Sequence, residues 1–350
     1  MNKYSTLQNC TFVKTMLMLI VILGHSIAFW TGSWISITPA FHASILDYGY
    51  KWINSFHIYA FALVSGYIYA AKRCGGGYSE FLPFLKNKAK RLLVPYCFAM
   101  AAWVAPISAL LFEWDITKLV QKYLFCINPS QLWFLWMLFW VFVITWPLWK
   151  LFSEQKILGA AISLIFYCLG IVGQKLFPNA FCIWTAFMYV PFFYIGIRMR
   201  YNRENNNGKI LPWWLWLISD LAIWGLYQYV SKVSGVIGLL LGIAVNFLLH
   251  VVGAIMAFEV FQQLAQSINW RDSKIFISLS NYSMPMYLFH QQIIYFPIVL
   301  LNGKINPYLH GSLNFVIALL GSYLLGWILM RFQGTRILLG ECHSVTAHEK

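Results

Sequence analysis

Charge is what this chain has least of. Asp, Glu, Lys and Arg make up 10% of its 350 residues, against about 25% in soluble globular proteins. A hydrophobic share of 60%, much of it in long apolar runs, places the chain in the membrane class instead. Acidic residues are scarcest, 11 against 25 basic ones, which leaves a net charge of +14. A balance so basic can mark a nucleic-acid partner. Here Lys and Arg cluster between apolar runs, which is the positive-inside pattern, so nucleic acid is set aside. The seven cysteines show no CxxC and no even spacing, so nothing signals a metal site or a disulfide framework. There is no Walker A loop, GxGxxG, HExxH or GxSxG, which leaves an ATPase or a serine hydrolase unsupported. No internal repeat and no soluble domain at either end is visible, so residues 1–350 read as one integral-membrane domain. A secretory signal cleaved near Ser26-Ile27-Ala28 is set aside, because its basic region would have to run to Lys14 and His25 interrupts the approach.

What the chain does have is apolar length. About ten segments lie near the ~20 residues a bilayer needs: 12–30, 54–71, 92–112, 132–152, 157–175, 181–197, 211–231, 236–262, 275–301 and 312–331. The fold class expected is therefore an all-α polytopic transmembrane bundle. With a cytoplasmic N-terminus, nineteen of the 25 Lys and Arg fall on the cytoplasmic side. Lys51, Lys118, Lys122, Lys175, Lys232 and Lys304 fall outside, so both termini are expected to be cytoplasmic.

Polar groups inside such spans are costly and are functional candidates. The stretch Lys14–His25 sets a cation and an imidazole 11 residues apart, about 16 Å and three helical turns, so both project from one face. His57 and His290, from two other spans, are expected at the depth of His25, which argues for a shared polar cavity. Asp220 falls near the middle of its span and could orient an imidazole or be a structural hydrogen-bonding group; Asn246 and His250 follow in the next span. Loop 72–91 is the most basic segment, opening on Gly75-Gly76-Gly77. It reads as a membrane anchor or as a site for a polyphosphate ligand. Arg198, Arg200 and Arg203, in a loop holding Asn205-Asn206-Asn207-Gly208, form a second basic cluster. Trp30, Trp34 and Trp52 suit an interfacial belt or a face for stacking a sugar ring. Ser65-Gly66 suits close helix packing. An imidazole in a membrane cavity is suited to taking a proton from a hydroxyl, which can then attack an acyl thioester.

In these motifs the sequence resembles the integral-membrane acyltransferase family 3. Lys14 and His25 match its Arg/Lys-x10-His helix. Ser55-Phe56-His57 with Phe61 through Ser65-Gly66-Tyr67 resembles its second-helix signature, and Arg91-Leu92-Leu93-Val94-Pro95-Tyr96 its "RLLxPY". Leu132-Trp133-Phe134-Leu135 is similar to its "LWFL", and Ser283 through Tyr287-Leu288-Phe289-His290 to its "SxxIYLxH". The chain departs at Thr11, where members often carry an acid, and at Tyr59, where the family has proline. It also looks like the short form, without the hydrolase-like domain some members append.

The resemblance implies O-acetylation of a bacterial envelope glycan, such as O-antigen, capsule or exopolysaccharide, in the inner membrane. Acetyl-CoA would be the co-substrate, with no permanently bound cofactor and no metal. It implies Lys14, Arg91, Arg198 and Arg200 at the donor's phosphates, and His25 as base or transient acetyl carrier. His57, His290 and Asp220 would assist, and Ser65, Trp133 and Tyr287 would bind substrate. The partners expected are acetyl-CoA, a glycan or lipid-linked sugar, and membrane lipid. The competing expectation is a flippase for lipid-linked glycans. Oligomeric state is not readable.

Overall fold

A computed structural model describes residues 3–112, 115–204 and 211–341. Asn205–Gly208, Lys209 and the tail 342–350, with Cys342 and Lys350, lie outside the described residues. The described residues are helical, with no strand among them. Lipid offers backbone N–H and C=O groups no partner, so apolar runs satisfy them within helices.

In chain order the helices are α1 (Lys3–Ile27), α2 (Ser44–Cys74) and α3 (Phe81–Ala99). A π-helical turn at Met100–Val104 leads into α4 (Ala105–Leu111). The short α5 (Ile116–Leu119) runs into a second π turn, Val120–Leu124. Then come α6 (Trp133–Thr145), α7 (Trp149–Glu154), α8 (Lys156–Leu176) and α9 (Ile183–Glu204). The hairpin of α10 (Trp213–Val230) and α11 (Gly235–Ser267) follows. The chain continues through α12 (Lys274–Asn281), α13 (Ser283–Leu301), α14 (Pro307–Leu329) and α15 (Gln333–Leu338).

All ten predicted segments fall on helices from this series, alone or as a consecutive pair. Seven stretches are long and apolar enough to cross a membrane by length and composition. The other three segments lie on α2, which carries Asn54 and His57, on α10, which carries Asp220, and on the shorter α6. Two predicted spans are broken. Segment 275–301 divides at Tyr282 into α12 and α13, and 132–152 divides at the turn after Thr145.

Helix α1 runs through the middle of the bundle, packed on α2, α11, α13 and α14. Val13, Leu17, Val21 and Ile22 on it are at most 1% exposed. Helices α2 and α9 cross where two glycines meet. A methyl group on Gly66 would collide with the carbonyl of Phe193, and one on Gly196 with the carbonyl of Leu63. Gly66 is thus a packing residue, while its neighbour Ser65 borders a cavity.

The segment leading into α6 is irregular. Cys126, Asn128 and Ser130 take φ of 57°, 56° and 54°, a region that L-residues seldom occupy. This backbone is held against α13. Gln131 donates its side-chain amide to Leu288 O (2.8 Å) and to Gln292 Oε1 (2.6 Å), and the Tyr287 hydroxyl donates to Gln131 O. Irregular backbone inside a membrane protein survives where it is buried or lines a cavity, and this segment does both.

Candidate active site

Two cavities in the bundle share lining side chains, and one stripe of α1 runs along both. Lys14, Met18 and Val21 line the first; Val21 and His25 line the second. These positions follow the i, i+4, i+7, i+11 progression of a single helix face.

The first, the basic cavity, encloses about 360 Å³. Lys14, Lys88 and Arg91 line it, and among the described residues Glu341 is the only acid on its wall. Lys14 is exposed to this space and lies within electrostatic reach of Lys72, Arg91 and Glu341. Lys88 is 9% exposed. Its ammonium lies 3.7 Å from the centre of the Phe142 ring, 4.8 Å from that of Tyr78 and 3.4 Å from the Tyr78 hydroxyl. Tyr78 is fixed in turn, because its carbonyl accepts from Arg73 and from Trp146 Nε1. Gly75–Gly77 before it is an ordered turn, with Gly77 N donating to Lys72 O at 2.9 Å. Ser280, Ser283 and the start of α13 complete the wall.

The second, the imidazole cavity, encloses about 1000 Å³. His25, His57, Trp34, Gln131, Gln291 and Tyr295 are among its lining groups. His25 Nδ1 and His290 Nε2 are 2.7 Å apart, with the rings nearly parallel. His290 itself is fully buried behind His25. Its Nδ1 lies 2.8 Å from Tyr287 O and 3.1 Å from Met286 O. A carbonyl only accepts, so Nδ1 of His290 carries the hydrogen, and Nε2 of the neutral ring is an acceptor. His25 therefore donates from Nδ1 and keeps its lone pair on Nε2. His57 is set the same way, with Nδ1 donating to Ile53 O at 2.7 Å and Nε2 left as the acceptor. Trp34 stacks on His25 at 5.7 Å. The Trp133 ring borders this cavity, and Tyr287 borders both.

Three expected groups stand elsewhere. The Arg198 guanidinium donates to Ser153 O and to Asn202 Oδ1 and packs over Tyr201. Arg200 is 7% exposed, beside the Tyr67 ring. Neither lines the basic cavity, because α9 turns both toward α7 and α2, and Arg203 beside them pairs with Glu259. Asp220 is fully buried, but Oδ2 accepts from Trp52 Nε1 at 2.9 Å, and it lines neither cavity. Its helix packs chiefly on α11. His250 donates to Ser55 O at 2.7 Å and stacks on Tyr59. Of the three tryptophans, Trp30 packs on His310, Trp52 holds Asp220 and Trp34 lines the imidazole cavity.

Lys88, Gln131 and Gln291 were not singled out as site residues from the sequence, whereas Trp34 was named as a candidate face for stacking a sugar ring. Only Lys88 carried a local signal: it lies three residues before Arg91, so both project from one face of α3.

The geometry pairs a cationic pocket with imidazoles whose tautomers are fixed by carbonyls. Such a pair suits an anionic donor at one end and proton removal at the other. Comparison with known proteins agrees in kind. No curated protein and no solved structure matches the chain. The family profile Acyl_transf_3, described as an acyltransferase domain, matches residues 9–331, essentially the whole chain. The chain thus belongs to acyltransferase family 3.

Proposed function

We propose that this membrane acyltransferase moves an acetyl group from acetyl-CoA to a hydroxyl of an envelope glycan or lipid-linked sugar. The basic cavity opens to the cytoplasm and the imidazole cavity to the outer face of the bacterial inner membrane, with both termini cytoplasmic. The observation that carries this reading is the single α1 stripe joining Lys14 in one cavity to His25 in the other. Membership in an acyltransferase family favours a transferase over a flippase.

Lys14, Arg91 and Lys88 hold the donor's phosphates by charge-assisted hydrogen bonds. The thioester arm extends past Val21 toward His25. Nε2 of His25 takes the proton of the acceptor hydroxyl, and the oxygen attacks the thioester carbon. The C–S bond breaks, an O-acetyl ester forms, and the CoA thiolate leaves and takes up a proton. His290 acts as a positioning residue that holds the His25 tautomer and shares the imidazolium charge, as a second group does in other acid–base sites. Trp34 and Tyr295 offer aromatic faces to the acceptor, and His57 offers a second acceptor nitrogen.

The test uses membranes carrying wild type or His25→Ala at matched expression, given acetyl-labelled acetyl-CoA on the cytoplasmic side. Label is followed into glycan and released by mild base as an ester. Transfer by wild type and none by His25→Ala is expected. Equal transfer by both removes His25 from the centre of the mechanism.

A further inference from the structure

Four side chains, from four helices, border both cavities: Val21 of α1, Ile58 of α2, Phe134 of α6 and Tyr287 of α13. Each lies next to the imidazole layer. Val21 is one turn before His25, Ile58 follows His57, Phe134 comes three residues after Gln131, and Tyr287 three before His290. Three of the four are hydrocarbon throughout. The fourth has its one polar atom committed, since the Tyr287 hydroxyl donates to Gln131 O. Packing holds the ring of side chains in place. Val21 is 1% and Ile58 8% exposed, and the Phe134 and Tyr287 rings meet edge to face at 5.9 Å. An apolar collar thus lies between the basic cavity and the imidazole cavity.

The collar has two chemical consequences for anything that passes. It offers no partner to a phosphate, and desolvating such a charge in an apolar ring is costly. It also opens onto a cavity where His25, His57, Asn54 and Gln131 stand among aromatic and aliphatic side chains. A long alkyl tail pushed through would lie among these polar groups and take the place of the acceptor.

Resting on the proposed donor route, we propose that this collar selects the acyl group. It stops the donor's phosphates in the basic cavity, admits the thin thioester arm with a short acyl tip, and rejects longer chains. Phe134 and Val21 are its specificity-determining residues.

The test uses membranes containing the full chain and their own glycan, with CoA, acetyl-CoA, butyryl-CoA and octanoyl-CoA as probes. Binding of each probe and release of CoA thiol are measured for wild type, Phe134→Ala and Val21→Phe. CoA binding is expected to persist in all three, because its phosphates are held outside the collar, and to weaken only in Val21→Phe, whose ring crowds the arm. In wild type, release from acetyl-CoA is expected to exceed that from octanoyl-CoA by at least about tenfold, the scale of discrimination an apolar pocket gives. Phe134→Ala is expected to bring that ratio below about threefold by removing most of the discriminating contact. Val21→Phe is expected to keep CoA binding and lose acetyl release. A wild type that uses octanoyl-CoA as fast as acetyl-CoA overturns the proposal, and so does a ratio that Phe134→Ala leaves unchanged. If Val21→Phe loses CoA binding altogether, its ring has closed the arm's path or disturbed the fold, and wild type and Phe134→Ala decide. If wild type binds no CoA at all, the donor reading itself falls, an outcome separate from loss of selectivity.

Discussion

Two clusters of cations distinguish this molecule, and they are built differently. Lys14, Lys88 and Arg91 converge on a cavity whose wall, among the described residues, carries one carboxylate, Glu341. Arg198 and Arg203 are engaged by the protein itself, through Ser153 O, Asn202 and Glu259, and Arg200 is packed beside Tyr67. Both clusters follow the positive-inside pattern, and basicity in sequence does not tell their roles apart. The difference lies in what faces the charge. A guanidinium that already has carbonyl and carboxylate partners holds helices together, while cations grouped around open space are poised for an external anion. The imidazoles divide the same way. His25 and His57 border a cavity with acceptor nitrogens, whereas His250 is bound to Ser55 O and stacked under Tyr59.

The contrast breaks most visibly at His25. His25→Ala is expected to lower transfer by about 10²–10⁴-fold, the range for loss of a general base, with acetyl-CoA binding intact. Asp220→Asn, by comparison, is expected to leave transfer close to wild type, since its carboxylate serves Trp52. Membrane transfer assays on the pair decide. His290→Phe keeps an aromatic ring but removes the acceptor for His25 Nδ1. It is expected to lower kcat by about 10–100-fold, as for other groups that orient a reactive one, while donor affinity stays constant. An equal loss of affinity would mean that His290 acts through packing. Lys14→Ala or Arg91→Ala is expected to weaken acetyl-CoA binding by roughly 10–100-fold, the scale of hydrogen bonds to charged groups, read by equilibrium binding. The smallest effect on donor affinity belongs to Arg198→Ala. Acetyl-CoA binding should hold, and the detergent-solubilised protein should melt earlier, because Ser153 O and Asn202 lose a buried partner.

Much of the fold was legible because membrane helices announce themselves by apolar length. The Lys14–His25 stripe was legible because helical periodicity alone puts both residues on one face. What was not legible depended on partners distant in sequence. Nothing in the run around Asp220 indicates that Trp52 donates to it across 168 positions. The arginines at 198 and 200 look like those of the other cluster until α7 and α2 are seen to meet them. The break at Tyr282 has no glycine to mark it. Cys126 and Ser130 take left-handed backbone without the residue that usually signals it. That irregular segment delivers Gln131 and Phe134 to the site, so the least readable stretch shapes the collar.

The most direct measurement separates holding the donor from using it. Labelled acetyl-CoA binding and label transfer to glycan are followed side by side in inside-out vesicles for wild type, Lys14→Ala and His25→Ala. The expected outcome is a split. Lys14→Ala loses binding and regains transfer at high acetyl-CoA, while His25→Ala binds like wild type and transfers nothing. If His25→Ala transfers normally, or if acetyl-CoA binds Lys14→Ala as tightly as wild type, the two cavities do not form one path from donor to acceptor.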